Sequence, residues 1–191
     1  MTSTGSVNLR RADTRRNHER ILVAAAESLT GPGELSFNDI AKRAEVGVGT
    51  VYRHFPTPEA LILAVYRREV RHLAEIVPGL LEKFSPERAF RIWVTDHLAH
   101  YSMTKRGLAN ALGMATLTGG DLPAKAYEAM IGAVSTLLDA NVEAGTVFPG
   151  LDPEVILRGL SGLFFLDPAE DWRKHAENLA DLLWLGMHVR D

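Results

Sequence analysis

Apolar residues recur along most of the chain at the three- and four-residue spacing of an amphipathic helix. No stretch shows sustained two-residue alternation, so the pattern predicts an all-α protein without a sheet. The predicted helices cover 14–29, 58–76, 86–103, 105–117, 122–144, 153–166 and 168–188, with two shorter ones between 36 and 57. Four helix starts carry the same signal, a Thr, Ser or Asp directly before a proline, at Thr57, Ser85, Asp152 and Asp167.

Residues 36–57 predict two short helices joined by a tight turn. Ser36 is suited to cap the first helix, and Val51 and Phe55 place an apolar side on the second. A helix, a short turn and a second helix form the arrangement that places its second helix in the DNA major groove. Small, hydroxyl and basic side chains on the outward side of that helix suit phosphates and base edges: Val48, Gly49, Thr50, Tyr52, Arg53 and His54.

The run IAKRAEVGVGTVYRHFPTPEALI, residues 40–62, resembles the DNA-binding domain of the TetR family of bacterial transcriptional regulators. The resemblance implies that Tyr52 and His54 touch phosphates and that residues 48–50 lie closest to the bases. It also implies about nine helices, with a three-helix DNA-binding domain followed by a helical-bundle domain. Two residues depart from the family pattern. Glu45 stands where the family usually has a turn glycine, and Pro58 where it often has a phosphate-binding lysine.

The predicted domains are a flexible basic arm over 1–12, the helix-turn-helix domain over 13–57, and a ligand-binding and dimerisation domain over 58–191. Residues 58–76 are expected to connect the last two as a lever. Arginines before the first helix suit either a solvated charge run or an arm that follows phosphates. The predicted DNA-binding residues are Arg15, Arg16, Ser36, Phe37, Asn38, Val48, Gly49, Thr50, Tyr52, Arg53, His54 and Thr57.

Apolar residues cover nearly the whole circumference of the helix predicted over 153–166, and the last helix is similar. Such a helix needs burial on several sides, and the alternatives are a central core helix or an interface with a second copy. We expect a homodimer in which the last two helices of each chain form a four-helix bundle, as the resemblance also implies. The expected interface residues are Leu157, Leu160, Phe164, Leu179, Leu182, Leu183 and Gly186. A two-fold dimer predicts a palindromic DNA operator.

Aromatic, methionine and histidine residues concentrate between 90 and 130, where they form either ordinary core or the wall of a pocket for a small-molecule effector. The resemblance implies a pocket, lined by Phe90, Trp93, His97, His100, Tyr101, Met114, Tyr127 and Met130. Asp96, His97 and His100 have a spacing that metal sites use, but no second matching motif supports a metal. The expected function is a TetR-like transcriptional regulator, a repressor that a small-molecule ligand releases from its operator. The alternative functions are a DNA-binding regulator without an effector and a helical bundle that binds a metal or small molecule.

The 191 residues contain no cysteine and carry a net charge of −3, with the basic excess near the beginning and the acidic excess after it. This asymmetry is expected for a DNA-binding domain joined to an effector domain. No phosphate-binding glycine loop, nucleophile motif or pair of catalytic carboxylates is recognisable, so we expect neither an enzyme nor a cofactor. The polar beginning and the short apolar runs predict a cytoplasmic protein with no membrane partner. The expected partners are double-stranded DNA, a second copy of the chain and a small-molecule effector.

Overall fold

A computed structural model of the chain describes residues 3–30, 35–117 and 124–189. The helices are α1 Ser3–Ser28, α2 Phe37–Arg43, α3 Val48–His54, α4 Pro58–Glu75, α5 Val77–Lys83, α6 Pro86–Ile92, α7 Ala99–Thr104, α8 Arg106–Leu117, α9 Ala124–Glu143, α10 Pro153–Leu160 and α11 Trp172–Met187. A π-helical segment, Trp93–Leu98, joins α6 to α7, and a 3-10 segment, Ser161–Phe165, follows α10. Over the described residues the only strand-like pairing is an isolated bridge between Val147 and His188. The all-α fold class predicted from the sequence is confirmed.

The chain divides into two compact units. The first comprises residues 1–68 and 105–122, and the second comprises residues 69–104 and 123–191. The predicted boundary at 57/58 therefore differs from the observed grouping in two respects. The first part of α4 belongs to the first unit, and so does α8, which the sequence pattern had assigned to the second domain.

The first unit is built around the apolar sides of α1, α2, α3 and α4. Fully buried side chains come from each of them: Ile21, Ile40, Val51, Leu61 and Val65. Helix α1 begins at Ser3, so the predicted start near Thr14 is wrong. The Ser- and Thr-rich residues before Thr14 include no proline, and a helix nucleated by the apolar stripe around Ile21 can extend through them.

The second unit has a core of large side chains from the segments between α5 and α11. Phe90 and Trp93 are fully buried, and the indole N–H of Trp93 donates to the Leu73 carbonyl at 2.8 Å. The ring of Phe90 lies 5.8 Å from that of Trp184 on α11. A buried amide also has its partners inside the chain, since Asn141 Nδ2 donates to the Leu137 carbonyl at 2.8 Å. These polar groups are satisfied internally, which is what a stable core requires.

Three of the four helix starts predicted from a capping residue before a proline are confirmed, at Pro58, Pro86 and Pro153. Thr57 Oγ1 accepts from the Ala60 N–H at 3.2 Å and Asp152 Oδ1 from the Glu154 N–H at 2.8 Å, as an N-cap should. Ser85 precedes α6 without a side-chain cap. The start predicted at Pro168 is wrong, because Asp167 closes a turn through the Ala169 N–H and α11 begins later, capped by Asp171.

Candidate nucleic-acid interface

Helices α2 and α3 form the helix-turn-helix, and local sequence explains both. Ser36 Oγ accepts from the Asp39 N–H at 3.3 Å, which caps α2. Phe37 and Ile40 on α2 and Val51 on α3 are buried, so each short helix is held by one apolar side. The opposite side of α3 faces away from this core and contains the residues predicted to approach DNA.

The turn between the two helices passes through Glu45, whose φ is +49°. Among the described residues it is the only non-glycine with a positive φ, and this is the position where the family pattern has glycine. The Glu45 carboxylate forms an ion pair with the Arg20 guanidinium on α1. Sequence reasoning identified Glu45 as standing at a turn-glycine position but missed Arg20, whose position gave no signal beyond its charge.

Replacing Glu45 with glycine is expected to stabilise the protein by about 0.5–1 kcal/mol, because glycine adopts a positive φ without the steric cost that a side chain carries. Loss of the exposed ion pair to Arg20 offsets part of the gain, since such pairs contribute about 0–1 kcal/mol. Urea denaturation measures the difference. Glu45→Ala is the matched control and should destabilise, since it loses the ion pair and keeps the strain. A Glu45→Gly protein less stable than Glu45→Ala contradicts the account.

Tyr52 and Phe37 form a tilted pair of aromatic rings at the exposed edge of α3. Their ring centroids are 4.9 Å apart, with Phe37 buried and Tyr52 55% exposed. Phe37, predicted as a DNA contact, therefore lies in the core and supports the Tyr52 ring from behind. This support fixes the direction of the tyrosine and leaves its hydroxyl in solvent, where it can donate to a phosphate oxygen.

His54 lies at the C-terminal end of α3 beside a second histidine. The His18 ring on α1 is 5.5 Å from the His54 ring and stacks on Phe55 at 4.9 Å. Burial, and then the charges of His18 and Arg53, lower the pKa of His54 below its usual 6.5. His18 was missed from the sequence, although its place three residues before Ile21 put it near the core-facing stripe of α1.

The remaining predicted DNA-binding residues lie around the same surface. Val48 and Gly49 are exposed at the start of α3, and Thr50 is half-buried behind them. Arg53 folds back along α3, and Ser36 and Thr57 act as helix caps. Arg15 and Arg16 are exposed on α1, and Asn38 is exposed on α2. The unit thus presents an exposed face of small, hydroxyl, aromatic and basic groups, with α3 at its centre.

All the predicted effector-binding residues except Met114 belong to the second unit, where they occupy different environments. Phe90, Trp93 and Met130 are buried, His97 and Tyr101 are half-buried, and His100 and Tyr127 are exposed. The Tyr127 hydroxyl donates to Glu154 Oε1 at 3.0 Å. The side chain of Met114 lies outside the described residues. His100 lines a surface cleft of about 200 Å³, whose other walls are Thr95, Asp96, Trp172, Arg173 and Glu177.

The last two helices expose a large apolar surface. The side chains that point outward are Val155 at 60% exposure, Phe165 at 86%, Leu182 at 67% and Leu185 at 64%. Leu160, predicted as an interface residue, is fully buried in its own core. Leu179 and Leu183 face Gly162 and Gly159 within the chain, where an added Cβ would lie 3.3 and 3.1 Å from them. These glycines therefore serve the packing of α10 against α11.

Two further searches of the described residues bear on function. No helix among them is long and apolar enough to cross a membrane. Nor do the histidines and carboxylates of that part of the chain form a group of three that could hold a metal ion.

The exposed α3, held by the buried sides of α2 and α3, defines the chain as a helix-turn-helix DNA-binding protein. Residues 21–65 match the family model described as bacterial regulatory proteins, tetR family, and residues 85–189 match the C-terminal domain of SbtR-like transcriptional regulators. The chain belongs to the TetR family of transcriptional regulators.

Similar proteins support this membership. The crystal structure of a TetR transcriptional regulator from Streptomyces coelicolor is 35% identical, with a TM-score of 0.75 over 91% of this chain and 99% of that one. A TetR regulatory protein from Mycobacterium vanbaalenii is 32% identical, with a TM-score of 0.72 over 94% and 99%. The A-factor receptor protein of Streptomyces griseus is 26% identical across 86% of this chain, which spans 60% of the length of that protein.

Proposed function

We propose that this regulator is a homodimeric repressor that binds a palindromic operator and is released by a small-molecule effector. The observation that carries the proposal is the outward face of α3. Exposed Gly49, Tyr52 packed on Phe37, Arg53 and His54 lie together there. Hydroxyl and imidazole groups bind phosphates, and a helix start without bulky side chains can approach base edges closely. Arg15, Arg16, Asn38 and the caps Ser36 and Thr57 complete the proposed contact surface.

The homodimer is proposed from the apolar surface of α10 and α11. Four large apolar side chains exposed on α10, the 3-10 segment after it and α11 exceed the scattered exposure that is normal for a protein surface. Burial against the same surface of a second copy removes them from water and generates two-fold symmetry. The two α3 helices would then lie about 34 Å apart, or a multiple of this, on a palindromic operator.

Tyr52→Phe and His54→Ala are expected to weaken operator binding by about 5- to 30-fold each, because each removes a hydrogen bond to a phosphate. The loss should be similar on every sequence, since phosphate contacts carry no sequence information. A gel-shift assay on the region upstream of the gene, repeated across a salt titration, measures it. Lys125→Ala on α9 is the matched control and should bind as the wild type does. Unchanged affinity in both variants contradicts the proposed docking of α3.

Operator affinity is expected to rise as the pH falls from about 7.5 to about 5.5. The pKa of His54 is lowered in the free protein by burial, His18 and Arg53, so its imidazole is mostly neutral at neutral pH. A phosphate beside His54 favours the protonated ring, and binding therefore takes up a proton. Proton uptake on binding makes affinity increase as pH decreases. His54→Gln should flatten the profile measured by fluorescence anisotropy at constant ionic strength. An equally steep profile in this variant assigns the effect to another group.

An effector is proposed because TetR regulators respond to small molecules and a relative is named the A-factor receptor protein. Its proposed position is the second unit, among the predicted lining residues that belong to it: Phe90, Trp93, His97, His100, Tyr101, Tyr127 and Met130. Of the predicted lining residues, His100 borders the described cleft, whose acidic and basic walls suit a polar molecule. A compound that raises the melting temperature and releases the operator at the same concentration would support this part of the proposal.

A further inference from the structure

The side chain of Arg53 runs back along the outward face of α3 toward the start of the helix. Its Nε–H donates to the Gly49 carbonyl at 3.1 Å, and Nη2 donates to Thr50 Oγ1 at 3.4 Å. Long helical side chains do lean toward the N-terminus. Here the result is that the guanidinium lies over Gly49 and Thr50, the residues proposed to approach the bases most closely.

The hydrogen bonds of Arg53 leave part of its fork unused. A guanidinium has five N–H groups, and the bonds to Gly49 and Thr50 use one on Nε and one on Nη2. The Nη1 and Nη2 edge therefore keeps donors that point in parallel. Guanine presents two acceptors, O6 and N7, on its major-groove edge, and a bidentate arginine matches them.

Arg53 differs in its charge partners from four other arginines of the chain. Arg20, Arg68, Arg91 and Arg158 each form an ion pair with a carboxylate of the same chain. In the part of the chain that the structure describes, no carboxylate pairs with Arg53. Its positive charge is therefore available to a ligand. The two hydrogen bonds to α3 already restrict its side-chain rotamers in the free protein, so less conformational entropy is lost on binding.

We propose that Arg53 reads a guanine in each half of the operator and that Thr50 is a positioning residue which holds its guanidinium plane. The assignment rests on the proposed docking of α3 in the major groove. It specifies which base is recognised in each half-site, which the docking of α3 by itself does not determine. A contact from Arg53 to a phosphate is the competing possibility, and it differs measurably, since removing such a contact would weaken binding to all sequences alike and would reduce the salt dependence.

The test uses the full chain and a random duplex library, from which the wild-type protein is expected to select half-sites with one strongly preferred guanine. Affinities for that site and its three single-base variants are then measured at each half-site position. Arg53→Ala should weaken binding to the guanine site by about 10- to 100-fold and make the four bases equivalent at that position alone. Arg43→Ala on α2, another exposed arginine, is the control and should keep the guanine preference.

Thr50→Val should weaken the preference at that same position by several fold, and Thr50→Ser, which keeps the hydroxyl, should restore it. Circular dichroism of each variant verifies that the helices are intact. A Thr50→Val protein with full guanine preference overturns the positioning part of the proposal.

Two results separate the proposals. If selection from the duplex library with the wild-type protein enriches no sequence, the proposed function is wrong and the assignment of Arg53 is wrong with it. If a sequence is enriched but Arg53→Ala weakens every base variant equally and lowers the salt slope by about one, Arg53 contacts a phosphate and only the guanine assignment is overturned.

Discussion

A Leu182→Glu protein is expected to be a folded monomer whose operator affinity is lower by about 100- to 10,000-fold. Leu182 is 67% exposed on α11, so a glutamate fits the single chain without entering its core. In the proposed dimer the same position is buried, and an unpaired carboxylate there is strongly destabilising. A monomer engages one half-site only and loses the effective concentration that links the two binding events, which accounts for the magnitude.

Light scattering at micromolar concentration measures the mass, and a gel shift on the full palindrome measures the affinity. Phe165→Glu, on the 3-10 segment after α10, is a second variant of the same surface and should behave alike. Thr136→Glu on α9 adds the same charge at an exposed position of another helix and should remain a dimer. A dimeric Leu182→Glu protein with unchanged affinity would place the interface elsewhere.

The helix-turn-helix could be predicted because its signals are local. The cap at Ser36, the apolar positions of Val51 and Phe55, and the small residues at the start of α3 all lie within about twenty residues. Even the turn at Glu45 was predictable, since a glycine position in a family pattern indicates a positive φ. What the pattern could not supply was the support from α1, because His18 and Arg20 approach the motif only through tertiary packing.

The proposed dimer surface shows why the outward side chains of residues 153–166 could not be assigned from α-helical periodicity alone. Glu154, Arg158 and Ser161 give this segment one polar side, but the helix changes from α to 3-10 geometry at Ser161. Three residues per turn instead of 3.6 rotate the following side chains away from the predicted face. Phe165, which the sequence analysis omitted from the interface, is consequently more exposed than Phe164, which it included.

The two units also differ in how their functional residues relate to folding. In the second unit, Phe90 and Trp93 are proposed effector contacts that are fully buried, and Trp93 also donates an internal hydrogen bond, so substituting them disturbs the core first. In the first unit, most of the outward residues of α3 contribute little to the core. Loss of DNA binding there can be separated from loss of folding, which makes α3 the better place for a decisive substitution.

Gly49→Ala is expected to make the free protein more stable and the operator complex weaker by about tenfold or more. Gly49 is exposed on α3, and a Cβ added there meets no atom of the chain within 4 Å. Alanine in a helix is favoured over glycine by up to about 1 kcal/mol, so urea denaturation should show a gain. In the proposed complex the methyl group points at the base edges, and overpacking of this size costs about 1–3 kcal/mol.

Gly132→Ala provides the matched control for that prediction. Gly132 is also exposed and helical, on α9, and a Cβ there likewise meets nothing within 4 Å. Both substitutions should therefore stabilise the free protein, whereas only Gly49→Ala should weaken the operator complex. Opposite changes in stability and affinity at one position cannot arise from partial unfolding, which would lower both. If Gly49→Ala binds the operator as tightly as Gly132→Ala does, the start of α3 does not approach the bases closely.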